Sequence, residues 1–220
     1  MEIHMNIRKI LICSGGNLGA WAIPYLQQPY NYFIGADKGA LFLVENNIHP
    51  DLAIGDFDSV TDEQMMRITE NSKNLLDFDA IDKDYTDTEL AIHEALKLQA
   101  DEILIVGGLG TRFDHSIANI QLLTLALEKN CKATIIDEYN KIQLINKRTI
   151  VQPDNYPYIS LLPFTDEVNG ITLEGFQYSL NEASIKKGQA IGVSNIIVEE
   201  QATIAVREGV LLVIQSKDNA

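Results

Sequence analysis

The first 140 residues alternate between short apolar segments and longer segments with helical spacing. Lys9–Cys13 places four apolar residues after one lysine, a run typical of a strand buried on both faces of a sheet. Alternation of strands and helices indicates a mostly parallel sheet with helices on both faces, a Rossmann-like α/β fold. Further strands are predicted at 32–35, 51–54, 74–78, 102–106 and 133–136.

Helix starts can be predicted from polar residues that precede apolar repeats. Thr61 is followed by Gln64 and Thr86 by Glu89, the spacing of two capping boxes that open helices. Asp114 is expected to cap a helix over 115–129, and a further helix is predicted over 38–46.

The pattern changes after about residue 139, where prolines appear and helical spacing stops. Short, mostly β-branched segments follow, separated by turn signals such as Asn169-Gly170, Lys187-Gly188 and Glu208-Gly209. The sequence therefore predicts an α/β domain over 1–140 and a smaller all-β sandwich over 141–220. Its predicted strands lie at 158–162, 170–173, 190–193, 196–199, 203–206 and 210–214.

Composition and charge narrow the function classes. The 220 residues carry a formal net charge of −14, which repels phosphate backbones and argues against nucleic-acid binding. No apolar run approaches the ~20 residues that span a bilayer, so no membrane association is expected. The two cysteines are expected to be buried, reduced thiols, and the cytoplasm is the predicted location.

Polar residues gather directly after the predicted strands of the first domain. In a parallel sheet these positions share the carboxyl edge, where ligands bind. Asp56 and Asp58 would point the same way in extended backbone, and two adjacent carboxylates repel each other unless a cation such as Mg²⁺ lies between them. A solvated Asx-type turn is the other interpretation of this pair.

Two further groups of polar residues allow both structural and functional interpretations. Asp87 suits the start of a helix, and Asp84 is either a loop charge paired with Lys83 or a second carboxylate facing the metal. Arg112 is a candidate phosphate clamp, a salt-bridge partner of Asp114, or both. His115 is expected to cap or support this site rather than act as a base.

Five segments occur in the order found in one known family: Gly35-Ala36-Asp37-Lys38-Gly39, Gly55-Asp56-Phe57-Asp58-Ser59, Lys83-Asp84-Tyr85-Thr86-Asp87-Thr88-Glu89, Gly107-Gly108 with Arg112-Phe113-Asp114-His115, and Gly192-Val193-Ser194-Asn195. Over nearly its whole length the chain resembles the thiamine pyrophosphokinases. The resemblance implies that the thiamine hydroxyl attacks the β-phosphorus of ATP, giving thiamine diphosphate and AMP. It also implies a nucleotide- and magnesium-binding catalytic first domain, and a second domain for thiamine binding and dimerisation.

The resemblance also implies roles for individual residues. Catalysis is assigned to Asp56, Asp58, Asp87 and Arg112, and Mg²⁺ binding to Asp56, Asp58 and Asp87. ATP binding is assigned to Asp37, Asp84, Thr86, Arg112, Asp114 and His115. Thiamine is assigned to Asp87, Ser194 and Asn195, in a homodimer whose active site is shared between subunits.

Two departures from the family pattern stand out. Thr111 occupies a loop position where a further glycine often precedes the arginine, and the only tryptophan, Trp21, lies outside the second domain, where an aromatic ring often stacks on thiamine. Asp87 is preferred to Asp84 as the general base. The alternatives are a diphosphokinase for another alcohol, such as a hydroxymethyl pterin, and a non-catalytic thiamine or nucleotide sensor.

Overall fold

The chain divides into two units, Met1–Glu138 and Tyr139–Ala220, in a computed structural model that describes residues 7–77 and 85–219. The strands of the first unit are β1 (Lys9–Cys13), β2 (Tyr32–Ala36), β3 (Leu52–Gly55), β4 (Leu75–Asp77), β5 (Glu102–Val106) and β6 (Lys132–Ile136). Its α-helices are α1 (Ile23–Leu26), α2 (Lys38–Glu45), α3 (Asp62–Asn71), α4 (Asp87–Lys97) and α5 (Phe113–Glu128), and a 3₁₀ turn covers Ala20–Ala22.

The strands of the first unit form a parallel sheet in the order β6-β5-β1-β2-β3-β4. The chain builds outward from β1 in one direction through β4, and then returns to the other side of β1 with β5. This reversal between β1 and β5 is a topological switch point, where the loops after two adjacent strands diverge and leave a crevice for a ligand.

The buried strand β1 lies at the centre of this unit. Ile10, Leu11, Ile12 and Cys13 have no exposed surface, as expected for a parallel strand covered on both faces. Helix α2 packs against α3 and helix α4 against α5, and both pairs contact the sheet. The predicted α/β fold class is confirmed.

The predicted helix starts are confirmed at α3 and corrected at α5. Thr61 and Gln64 exchange both hydrogen bonds of a capping box. Thr86 accepts a hydrogen bond from the backbone N–H of Glu89 at 3.2 Å. The prediction that Asp114 caps α5 is wrong, because the helix begins at Phe113, two residues before the predicted start at 115. Arg112 is the N-cap residue, and Asp114 lies in the first turn.

The second unit is a sandwich of two antiparallel four-stranded sheets, ordered β12-β9-β14-β7 and β11-β10-β13-β8. Both sheets contribute to one apolar core, which includes Leu161 and Val213 from the first sheet and Ile171 and Ile204 from the second. The predicted all-β sandwich is therefore confirmed. Its strands are β7 (Asn140–Ile145), β8 (Thr149–Val151), β9 (Tyr158–Pro163), β10 (Glu167–Glu174), β11 (Leu180–Lys186), β12 (Asn195–Ile196), β13 (Ala202–Ala205) and β14 (Leu211–Ser216).

The sandwich differs from the sequence prediction in several details, beginning with β7, β8 and β11, which were not among the predicted strands. Residues 190–193 form turns rather than a strand, and only Ile196 of the segment 196–199 is in a strand. Asn169-Gly170 lies within β10 at a shift in strand register, not in a turn between strands. A positive φ of 67° at Gly170 explains the error, since a bulge needs the same backbone freedom as a turn.

Across the described residues, none of the helices has both the length and the apolar character needed to cross a membrane.

Candidate active site

Three carboxylates meet at the carboxyl edge of the first sheet. Oxygen atoms of Asp37, Asp56 and Asp58 all lie within 4.8 Å of one another. Asp37 follows β2, while Asp56 and Asp58 follow the neighbouring parallel strand β3, so strand pairing brings them to the same place. Carboxylates this close repel each other, and a divalent cation with oxygen ligands removes that repulsion.

Asp37 is held in an unusual conformation at this cluster. Asp37 directly precedes α2 and has a φ of 49° and a ψ of −125°. Its carboxylate makes no capping hydrogen bond to that helix. Oδ2 accepts a hydrogen bond from the Ser59 hydroxyl. Among the described residues Oδ1 is buried and has no hydrogen-bond partner. A buried carboxylate oxygen without a partner is unfavourable, and a bound cation would satisfy it.

Phe57 anchors the loop that carries the other two aspartates. Its side chain is 5% exposed and packs with Ala40 and Ile68. Its φ of 53° shows that the backbone between Asp56 and Asp58 is not extended, so the predicted reason for their common direction is wrong. The Asp58 N–H donates to Asp56 Oδ1 at 3.3 Å, an Asx-type turn. The turn and the carboxylate cluster therefore exist together.

Asp87, the first residue of α4, lies beside the end of β3. A Cβ atom placed on Gly55 would be 3.4 Å from Asp87 Cγ and 3.3 Å from the backbone nitrogen of Asp37. Among the described residues, the carboxylate that is grouped closely with Asp56 and Asp58 is that of Asp37, not that of the predicted ligand Asp87. Magnesium binding by Asp87 stays a prediction.

A pocket of about 600 Å³ lies at the switch point, lined by the loops after β1, β2 and β5 and by the starts of α4 and α5. Asp37 and Asp87 both line it, so the pocket adjoins the carboxylate cluster. Its walls are joined by backbone hydrogen bonds, including Gly16 N–H to the Gly107 carbonyl at 2.8 Å. The volume suits a ligand the size of a nucleotide.

Gly107 is required for the close approach of two loops in this pocket. Its φ is +69°, and a Cβ atom there would lie 2.2 Å from the Ser14 carbonyl oxygen. A side chain at this position would push the loop after β5 away from the loop after β1. The glycines singled out in the sequence thus bring backbone, rather than side chains, to the pocket wall.

Arg112 and Asp114 form a two-point ion pair at the pocket rim. Arg112 Nη2 donates to Asp114 Oδ2 at 2.7 Å, and Nε donates to Oδ1 at 3.3 Å. The hydrogen bond from Arg112 lowers the pKa of Asp114, and the backbone N–H of His115 lowers it further. The hydrogen bond with Asp114 raises the pKa of Arg112. Arg112, Asp114 and His115 all line the pocket, with the guanidinium oriented by Asp114.

The glycine loop, residues 107–110 after β5, is held by two residues of α5 that the sequence predictions missed. Asn119 Nδ2 donates to the Gly108 carbonyl at 2.6 Å, and the Gly110 N–H donates to Ser116 Oγ at 3.2 Å. Ser116 and Asn119 are three residues apart and hence on one face of α5. That spacing, directly after a glycine-rich loop, was the signal available in the sequence.

The remaining predicted site residues divide between three places. Thr86 lines the pocket, and Asp84 lies outside the described residues. Ser194 and Asn195 belong to the second unit. Asn195 is 4% exposed, and its amide accepts from the Tyr178 N–H at 3.0 Å and donates to the Tyr178 carbonyl at 2.7 Å. Asn195 therefore fixes the backbone of Tyr178, whose side chain is 63% exposed.

Comparison with known families gives two matches along the chain. Residues 23–135 match the family described as "Thiamin pyrophosphokinase, catalytic domain", and residues 147–211 match "Thiamin pyrophosphokinase, vitamin B1 binding domain". The chain belongs to the thiamine pyrophosphokinase family. The general reaction of this family is ATP-dependent diphosphoryl transfer, and the predictions of family, enzyme class and function are confirmed.

Individual thiamine pyrophosphokinases show the same likeness. A relative from Bacillus subtilis is 38% identical over 191 residues, which cover 86% of this chain and 89% of the relative. A solved thiamine pyrophosphokinase structure from Bacillus subtilis aligns with a TM-score of 0.89 at 34% identity, covering 96% of this chain and 100% of that one. A family protein from Enterococcus faecalis aligns with a TM-score of 0.80 at 32% identity, covering 96% and 100%.

Proposed function

We propose that this enzyme transfers the diphosphoryl group of ATP to the hydroxyl of thiamine, with Mg²⁺ held by Asp37, Asp56 and Asp58. The observation that carries the proposal is the cluster of these carboxylates at the pocket formed at the β1/β5 switch point. Asp37 belongs to both the cluster and the pocket lining, so a cation at the cluster would face a ligand in the pocket.

The three aspartates fit Mg²⁺ in both chemistry and environment. They supply only oxygen atoms, which this cation prefers, and the unpartnered Asp37 Oδ1 is a buried acceptor that it would satisfy. Bound Mg²⁺ supplies neutralisation of the charge on the phosphate oxygens. Asp87, beside Gly55, is proposed as a further ligand on the α4 side of the cluster through one carboxylate oxygen, which leaves the other oxygen to act as a base.

ATP binding is assigned to the pocket and its rim. Arg112 contacts phosphate oxygens, while Asp114 orients the guanidinium and His115 supports the helix start beside it. Thr86 and the N-terminus of α4 favour anionic groups, and Asp84 is kept as a proposed contact from sequence alone. The N-terminus of α5 adds a second group of backbone N–H donors at the same pocket.

Asp87 is the proposed general base. It would accept the proton of the thiamine hydroxyl as that oxygen forms a bond to the β-phosphorus. The bond between the β-phosphorus and the oxygen that bridges it to the α-phosphate breaks, and AMP leaves with that oxygen. The chain contributes mainly by holding the hydroxyl, the base and the phosphates in line.

Thiamine is assigned to the second unit, Tyr139–Ala220, which contains the predicted domain 141–220. The proposed contacts with thiamine are Ser194 and Asn195. Tyr178 is proposed to stack on a thiamine ring, because it is the exposed aromatic side chain among the described residues of this unit. Asn195 would act partly by holding the Tyr178 backbone. The match of residues 147–211 to a domain described as vitamin B1 binding favours thiamine over a pterin alcohol as the acceptor.

We further propose a homodimer in which Asp87 of one subunit and Tyr178 of the other serve one active site. Mixing the inactive variants Asp87→Asn and Tyr178→Ala after subunit exchange tests this arrangement. One intact site per mixed dimer restores activity if sites are shared, whereas no recovery places each site within one subunit.

A cytoplasmic location is also proposed. Cys13 and Cys131 are buried free thiols, a state that the reducing cytoplasm maintains. Recovery of the activity in the cytosolic fraction of lysed cells would support this location, and recovery in the membrane pellet would contradict it.

One assay tests the central reaction. The enzyme is incubated with ATP, Mg²⁺ and thiamine, and AMP and thiamine diphosphate are quantified. Equal amounts of both products, lost on chelation of Mg²⁺, are expected. ADP in place of AMP would indicate monophosphoryl transfer, and tight thiamine binding without turnover would indicate a sensor; either result contradicts the proposal.

A further inference from the structure

A buried pair of hydroxyls connects two distant parts of the first unit. The Thr88 hydroxyl donates to Ser14 Oγ at 3.0 Å, across a sequence separation of 74 residues. Ser14 is 2% exposed and Thr88 is 9% exposed. A hydrogen bond shielded from water in this way fixes the distance between the segments that carry it.

Both ends of this hydrogen bond are attached to elements that build the pocket. Ser14 directly follows β1, and its backbone N–H donates to the Val106 carbonyl at 2.9 Å, at the end of β5. Thr88 is the second residue of α4 and follows Asp87 directly. The central strands of the sheet are thus joined through one side-chain contact to the residue next to the proposed base.

Two other restraints act on α4: its Thr86 cap, which is local, and the packing of its buried residues Ala91, Ile92 and Ala95, which holds the later turns against the sheet. The Thr86 cap fixes the first turn of the helix but does not fix that turn relative to the sheet. The Asp87 carboxylate must lie over Gly55, where the ideal Cβ position is 3.4 Å from its Cγ. A small rotation of α4 would move this carboxylate against β3 and change its distance to the acidic cluster.

We propose that the Ser14–Thr88 hydrogen bond is a positioning device that sets the Asp87 carboxylate for catalysis. The inference rests on the proposed role of Asp87 as base. Ser14 and Thr88 both line the pocket, but their hydroxyls bond to each other, so neither is assigned a contact with substrate and both act through the placement of α4.

The test compares isosteric and conservative variants. Thr88→Val keeps the volume but removes the hydroxyl, and kcat should fall about tenfold or more, while the KM for ATP stays within about threefold because Arg112 is untouched. Thr88→Ser keeps the hydroxyl and should restore most of the kcat. Thr134→Val, at a buried threonine of β6, is the matched control and should leave kcat unchanged.

The double variant Ser14→Ala/Thr88→Val separates positioning from stability. Because it leaves no buried hydroxyl without a partner, its Tm should recover relative to Thr88→Val, while its kcat stays low. If Thr88→Val does not fold, Ser14→Ala provides the same test of kcat.

Three results would overturn the inference: wild-type kcat in Thr88→Val or Ser14→Ala, equal loss of kcat in Thr88→Ser and Thr88→Val, or recovery of kcat together with Tm in the double variant. Asp87→Asn shows which statement has failed. Wild-type kcat in Asp87→Asn contradicts the proposed base, whereas impaired Asp87→Asn with normal Thr88→Val contradicts only the positioning role.

Discussion

Gly55 and Asp87 lie against each other, with 3.4 Å between the ideal Cβ position of the glycine and the Cγ of the aspartate. The φ of Gly55 is +148°, a conformation that side chains disfavour, and it directs the chain from β3 into the loop of Asp56 and Asp58. Gly55 thus allows the turn that carries Asp56 and Asp58, and the proposed base lies at van der Waals distance from the position of its missing Cβ.

Gly55→Ala should therefore impair both stability and catalysis. The positive φ makes an alanine unfavourable by about 1–2 kcal/mol. The added methyl group would crowd the backbone nitrogen of Asp37 at 3.3 Å and contact Asp87 at 3.4 Å, so relief of the crowding would shift the loop beside the proposed base. Urea unfolding and steady-state kinetics measure the two effects. Gly188→Ala is the matched control. Gly188 has a φ of +87°, and a Cβ atom added there would have no atom within 4 Å apart from its chain neighbours. Gly188→Ala should lose stability but keep its kcat, and a similar kcat in both variants would contradict the role given to Gly55.

Arg112→Ala should weaken ATP binding. Removal of a charge-assisted contact to phosphate is expected to raise the KM for ATP about tenfold or more, with a smaller effect for Arg112→Lys, which keeps the charge but loses the two-point geometry. Arg148→Ala is the control, since Arg148 forms a comparably exposed ion pair with Glu174 in the second unit. Equal KM values in Arg112→Ala and Arg148→Ala would exclude the phosphate role.

Asn119→Ala should loosen the glycine loop. Loss of its hydrogen bond to the Gly108 carbonyl should reduce stability by about 1 kcal/mol and raise the KM for ATP. Asn46→Ala removes a similar side-chain bond, to the Phe42 carbonyl at 2.8 Å, at the end of α2 away from the pocket. Thermal unfolding should shift equally in the two variants, and only Asn119→Ala should change the KM; a change in neither KM would contradict the role of Asn119.

The buried cysteines predict a loss of stability at alkaline pH. Burial raises the pKa of Cys13 and raises that of Cys131 to about 11. Because the folded state favours the neutral thiol, the thiol's contribution to the free energy of unfolding is complete below its ordinary pKa of about 9. That contribution declines as the pH rises above this value, since the unfolded chain then loses the proton first. Tm measured from pH 7 to pH 10 should fall less steeply in Cys13→Ala than in the wild type. Identical slopes would contradict this effect of burial.

Much of the first unit could be predicted from local sequence, because its signals are local. Lys9–Cys13 is an unbroken apolar run, and the Thr61–Gln64 pair specifies its own helix start. The second unit was harder, since β11 (Leu180–Lys186) carries polar residues on a largely exposed edge and has no apolar alternation. Its pairing with β10 depends on contacts that a short sequence window does not contain.

The site shows the same division between local and distant information. Local motifs contain Asp56, Asp58 and Arg112. Because these motifs follow predicted parallel strands, the sequence also predicted that they meet at the carboxyl edge of the sheet. The contact of Ser59 with Asp37 and that of Thr88 with Ser14 join residues 22 and 74 positions apart. Such contacts depend on strand order, which the sequence pattern alone did not supply.

Divalent-cation affinity tests the central claim most directly. Mn²⁺ titration followed by electron paramagnetic resonance would compare the wild type with Asp37→Asn, which keeps the size of the side chain and an oxygen for Ser59. Asp166→Asn, at a 97% exposed side chain of the second unit, controls for the change in net charge. We predict that Asp37→Asn weakens Mn²⁺ binding about tenfold or more while Asp166→Asn leaves it unchanged. Wild-type Mn²⁺ affinity in Asp37→Asn would contradict a metal site built from Asp37, Asp56 and Asp58.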